Sequence, residues 1–166
     1  MIKILNFPKG FKQSRGWLCG PCAMQAVLFY YGKKVSEKEL AKIGKTSSKE
    51  GTSVKGMARI AKKFNLKYLM KENLKIKNVI DSIKKGNPVI LGIQAWPNKK
   101  ITNWKNEWEF GHYVIAIGYD SIKKKIIYHD PFDGKRKSIL HKNLDERWHD
   151  RDAKKIYEHL GIVFSK

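Results

Sequence analysis

Apolar residues at Met24, Val27, Leu28 and Tyr31 recur three and four apart behind Pro21 and stop at Gly32, which predicts a helix over 21–31. "SEKE" at 36–39 sets Ser36 three residues before Glu39, a capping box that opens a short helix running to Ile43. Val54, Met57, Ala61 and Phe64 share one face behind the candidate caps Thr52 and Ser53, so a third helix is expected, followed by a short strand over 67–70. Ile76, Val79, Ile80 and Ile83 repeat the helical spacing and end at Gly86 and Pro88. From Pro88 onward the pattern changes to strands: "VILGIQ", "HYVIAIGY", "KIIYHD" and "RKSIL", the second and third joined by a turn at Asp120 and Ser121.

Helices followed by antiparallel strands define an α+β pattern. The chain reads as one domain over 1–166, with a helical lobe over about 1–86 and a sheet lobe over about 87–166. A long polar link holding Trp96, Trp104 and Trp108 separates the first two strong strands, and is a candidate lid or groove wall. Residues 143–160 read as one or two helices, and "GIVF" as a final strand. No repeat or low-complexity segment interrupts this pattern.

The 166 residues carry a formal charge of +20. The excess is spread along the chain rather than gathered in a tail, and it can recruit an acidic partner. Of the 35 cations only five are arginines, a poor supply of forked base-reading groups, so a dedicated nucleic-acid role is not favoured. Pro8 and Gly10 stand where a signal peptide would carry its apolar run, and no stretch of about 18 apolar residues offers a membrane span. A soluble, cytoplasmic protein is expected, in keeping with two cysteines too close together to staple a secreted scaffold.

Those cysteines form "CGPC" at 19–22. A redox dithiol has this local form, but it should follow a strand in an alternating strand and helix pattern, and "KGFKQSRG" is not such a strand. A zinc clasp needs a second close pair of ligands, and His112, His129, His141, His149 and His159 do not supply one. No metal or other cofactor is expected. A thiol hydrolase asks for a thiolate at a helix N-terminus, an imidazole, a group that orients it, and donors for an oxyanion. Gln13, Cys19, His112 and Asp130 occur in that order. His112 begins one strand and Asp130 ends the next, so neighbouring strand ends can bring them together. Asp133 competes with Asp130 but sits in the turn "PFDG", and His129 should face the other side of its strand.

"QSRGWLCGP", a helix ending "YYG", then "GTS", "KKGNPVILGI", "GHYVIAIGYD" and "HDPFDG" together resemble the papain-like cysteine peptidases that process bacteriocin leaders, the double-glycine leader peptidases, and their stand-alone relatives. The tail "LDERWHD" and "GIVF" extends the likeness to nearly the whole chain. The resemblance implies a papain-like α+β fold with the cysteine on the helical lobe and the histidine and aspartate on the sheet lobe. It implies that Cys19 is the nucleophile, His112 the base, Asp130 the orienting acid and Gln13 the oxyanion donor. Cys22 falls where a small residue is usual and is read as packing. The substrate is then a peptide or protein, with Trp96, Trp104 and Trp108 as candidate groove residues. Transfer of the acyl group to an acceptor other than water stays open, as does a catalytically idle peptide-binding module of the same fold.

Overall fold

The computed structural model describes residues 1–166. Helix α1 (Cys19–Tyr30) is buried over most of its surface and packs against α2 (Glu37–Gly44), α3 (Val54–Lys63) and the sheet. It begins two residues earlier than its apolar spacing predicts. Pro21 falls within the first turn, where backbone N–H groups have no intrahelical partner to lose, so the helix extends back through Gly20 to Cys19. Ser36 and Ser53 cap the next two helices by accepting from the N–H groups of Glu39 and Gly56. A fourth helix, α4 (Ile76–Lys84), lies against the sheet.

Seven strands make one antiparallel sheet. In spatial order they are β2 (Lys67–Lys71), β9 (Gly161–Ser165), β3 (Val89–Gln94), β4 (Gly111–Asp120), β5 (Lys125–Asp130) and β6 (Lys135–Leu140), with β1 (Ile2–Ile4) pairing the far half of β4. Strand β1 was not visible in the sequence pattern; it forms because β4 is ten residues long and β3 covers only its first half. The large sheet therefore draws its strands from both halves of the chain.

The C-terminal region differs from the sequence expectation. Helix α5 is short (His141–Arg147), and the rest of 143–160 forms a hairpin of β7 (His149–Arg151) and β8 (Ile156–Glu158). Two side chains explain this. Trp148 is fully buried and its indole donates to the Leu160 carbonyl at 2.9 Å, which ends the helix against the core. Asp152 then accepts from the N–H groups of Lys154 and Lys155 at 2.9 and 3.1 Å, closing the turn. The tryptophan-bearing link holds one 3-10 turn, Trp104–Asn106. No helix is long and apolar enough to cross a membrane.

Candidate active site

Cys19 opens α1, half-buried, on the wall of an open cleft of about 710 Å³ that is also lined by Thr52, Trp108, His112 and Asp150. Gly20 has a packing reason to follow it. A Cβ there would sit 2.8 Å from the Thr52 hydroxyl oxygen, so glycine lets the "GTS" loop press against the head of the helix. Thr52 is itself held on both sides: its hydroxyl bonds that of Thr46 at 2.7 Å, and its carbonyl accepts from the Tyr113 hydroxyl at 3.0 Å. The strand that carries His112 is thus tied to the loop that braces Cys19.

His112 and Asp130 meet through sheet register. Ala116 pairs Tyr128 just past a β-bulge between Ala116 and Gly118; on that face Val114 and His112 lie two and four residues back along β4, and Asp130 two residues on along β5. His112 Nε2 lies 2.7 Å from Asp130 Oδ1, with both side chains buried. The remaining ring nitrogen is the one left for Cys19. Burial alone would push the imidazole toward its neutral form; hydrogen bonds to Asp130 and Cys19 outweigh it and raise His112 to about 9. Burial would likewise raise Asp130, but the bond and charge of His112, the Lys137 ammonium and the Phe132 N–H hold it down to about 2.

Cys22 is fully buried one turn inside α1, and burial pushes its thiol far up, so it fills space and is a poor partner for thiolate exchange. His129 faces the other side of β5: its Nε2 lies 2.9 Å from the Phe11 carbonyl, and burial lowers its pKa. His149 is buried, with Nε2 2.6 Å from the Glu107 carbonyl and the Trp108 ring against it. No group of three or more His, Cys, Asp or Glu side chains is arranged to hold a metal ion.

Gln13 is half-buried in the loop before Cys19. Its backbone N–H donates to the Pro131 carbonyl at 2.8 Å, which pins it beside the end of β5. One amide hydrogen donates to the Arg15 carbonyl at 2.9 Å, the second is free, and Oε1 is buried without a partner. The three tryptophans separate. Trp108 lines the cleft. Trp104 lies under the Arg147 guanidinium, 4.1 Å from ring centre to cation, and not among the cleft-lining residues. Trp96 adopts φ 58°, unusual for a bulky residue, and in that conformation its indole donates to Asp130 Oδ2 at 2.9 Å while its ring stacks on Phe132.

Three groups at the site carried no signal in the sequence reading. Lys137 reaches Asp130 Oδ2 at 2.9 Å from the middle of β6. Asp150 projects into the cleft, where burial pushes its carboxyl up to about 7. Gln94, fully buried, donates to the His149 carbonyl and accepts from the Phe110 N–H, fastening the tryptophan-bearing link to the hairpin. Strand alternation could have marked Lys137, since it shares a face of β6 with buried Ile139.

The family model described as Peptidase_C39 like matches residues 4–156. The chain belongs to that family. No curated protein matches this C39-like chain. Among solved structures it is similar to the peptidase domain of Streptococcus ComA, a bi-functional ABC transporter involved in a quorum-sensing pathway, at 20% identity, covering 95% of this chain and 98% of that one, with a TM-score of 0.69. It is also similar to a C39-like peptidase from Bacillus anthracis at 17% identity, with 99% and 98% covered and a TM-score of 0.71. A third is a double glycine motif protease from an AMS/PCAT transporter, solved with its leader peptide, at 17% identity, 98% and 94% covered and a TM-score of 0.65. At these identities the likeness establishes the papain-like α+β fold; with the family, it supports a cysteine-peptidase type of function for this C39-like chain.

Proposed function

We propose that this protein is a cysteine peptidase in which Cys19 attacks a peptide carbonyl, His112 moves the protons and Asp130 orients His112. The observation that carries the reading is the 2.7 Å contact between His112 Nε2 and Asp130 Oδ1, which leaves the opposite ring nitrogen for the thiol at the head of α1. His112 hydrogen-bonds that sulfur and can take up its proton as the attack begins.

The Cys19 sulfur adds to the carbonyl carbon, and the carbonyl π electrons move onto oxygen. The free amide hydrogen of Gln13 and the Cys19 backbone N–H stabilise the oxyanion. On collapse the C–N bond breaks, the amine takes the proton of His112, and a thioester remains. Neutral His112 then accepts a proton from water as its oxygen attacks the thioester; the carbon–sulfur bond breaks, releasing a carboxylic acid and restoring the thiolate. The cleft is open at one face and large enough for several residues of an extended chain, which supports a peptide as substrate.

Incubation with a diverse peptide pool tests this. Wild type should cleave a subset of peptides, Cys19→Ala none, and Gln13→Ala should lose about 100- to 1,000-fold in turnover while staying folded. Absence of cleavage across the pool, with peptides still retained on the wild-type protein, would replace the enzyme by a binding module.

A further inference from the structure

Strand β6 turns one face toward the sheet's covered side. Ile139 on that face is buried, and the next residue on it is Lys137, its side chain only 21% exposed. An aliphatic residue would be the ordinary choice there. A lysine gives up side-chain entropy and hydration to occupy it, so it needs compensation from its partners. Its ammonium lies 2.9 Å from Asp130 Oδ2, 2.9 Å from Asp133 Oδ2 and 3.7 Å from the centre of the Trp96 ring.

The carboxylate of Asp130 is thereby held by four donors in two pairs. Oδ1 takes His112 and the Phe132 N–H; Oδ2 takes the Trp96 indole N–H and Lys137. With both oxygens occupied, the carboxyl plane cannot rotate, and His112 is offered one fixed acceptor. A cation on the outer oxygen also changes the charge that the imidazole feels. A bare buried carboxylate would hold the imidazolium proton tightly, which makes a reluctant acid toward a departing amine.

We propose that Lys137 is a positioning residue of the triad, fixing Asp130 by its outer oxygen and offsetting part of the carboxylate charge that reaches His112. Asp133 sets how much of the lysine's charge is available, because it shares the same ammonium. The inference rests on the assignment of Cys19, His112 and Asp130 given above. The titratable groups around His112 are Cys19, Asp130 and Asp150; those around Lys137 are Asp130, Asp133 and its cross-strand partner Tyr128, with the Arg147 guanidinium acting on Asp130 and Tyr128.

The experiment follows the His112 ring by NMR in the full chain, with carbon-13 in the histidine rings and the five signals assigned by single His→Gln variants. Lys137→Met keeps the aliphatic stem and removes the charge; it should raise the His112 midpoint by about one pH unit. Lys137→Arg should hold it within a few tenths of wild type, and Asp133→Asn should lower it by about a few tenths, since the lysine then serves Asp130 alone. Unchanged signals from His141, His149 and His159 certify the fold; His129 lies in the field of Asp130 and Asp133 and is left out of that control. A folded Lys137→Met with an unmoved midpoint overturns the proposal; should that variant not fold, Lys137→Gln takes its place, an upward shift supporting the proposal and an unmoved midpoint overturning it. Cys19→Ala is read separately. It should lower the midpoint by removing the sulfur that hydrogen-bonds the ring, and its failure to do so would count against the catalytic assignment while leaving the lysine arms readable, because they act through Asp130.

Discussion

Two aspartates carry their charge close to His112, and burial acts on both, yet they end at opposite ends of the carboxylate range. Asp130 is held down to about 2 and Asp150 pushed up to about 7. The difference lies in what each oxygen meets. Asp130 receives two cationic side chains and two N–H donors. Asp150 receives the Arg151 N–H at 2.7 Å and a long contact from Gln94 at 3.4 Å, both on Oδ1, while Asp152 nearby adds negative charge. Burial alone therefore does not decide ionisation; the donors built around the carboxylate do. Asp130 is equipped to stay charged, and Asp150 sits beside the cleft as a carboxyl that exchanges its proton near neutrality.

The largest effect should come from undoing the well-served carboxylate. Asp130→Ala leaves His112 without an anchor and Lys137 with Asp133 alone, and should cost about 3–5 kcal/mol in urea unfolding. Asp130→Asn keeps the shape but loses the charge and should lower turnover by roughly two to four orders of magnitude. The stability contributed by Asp130 is present above the unfolded carboxyl value near 3.8 and is lost as pH falls toward 2. If Asp130→Ala unfolds at the wild-type urea concentration, the four donors are not the source of its low pKa.

A change in between these extremes isolates the surroundings of Asp150. Gly111 precedes His112, and a Cβ on it would land on the Asp150 carboxylate. Gly111→Ala should therefore cost about 1–3 kcal/mol by overpacking, and most of that should return in the double variant Gly111→Ala/Asp150→Ala. Additive losses in the double-mutant cycle would show that the glycine is needed for some other reason. The "GH" of the sequence thus has a packing cause of its own beside His112.

How far the sequence carried the reading follows from the range of the forces involved. Helices α1 to α4 were legible because their apolar residues recur at helical spacing, and strands β3 to β5 because burial on both faces leaves runs of apolar residues of strand length, while β6 alternates. The meeting of His112 and Asp130 was legible only in part: the short turn, secured by Asp120 accepting from Ile122 and Lys123, brings the two strand ends near each other, but a β-bulge between Ala116 and Gly118 shifts the register by one residue and sets both side chains on one face. The 149–158 hairpin was not, since "HDRDAKKIYE" has no alternation; it depends on a tryptophan buried elsewhere and an aspartate closing the turn. Lys137 and Asp150 were hidden for a related reason. A lysine in a polar strand and an aspartate in a charged tail look like surface residues until tertiary contacts bring Asp130 and the cleft to them.

The smallest expected effect is also the one that most sharpens the contrast. Asp150→Asn keeps an oxygen for the Arg151 N–H and removes the titrating proton. In wild type the folded carboxyl holds its proton up to about 7, while the unfolded chain releases it near 3.8. Between those values the folded state binds more protons, so wild-type stability falls with rising pH and levels off above 7. The variant does not pass through that decline. Its advantage should be absent below pH 4, grow across the window, and reach on the order of 2 kcal/mol above pH 7. Urea unfolding of both proteins at pH 4, 6 and 8 measures it. A constant difference across the three would mean that Asp150 keeps its charge throughout, and that its few donors suffice where Asp130 uses four.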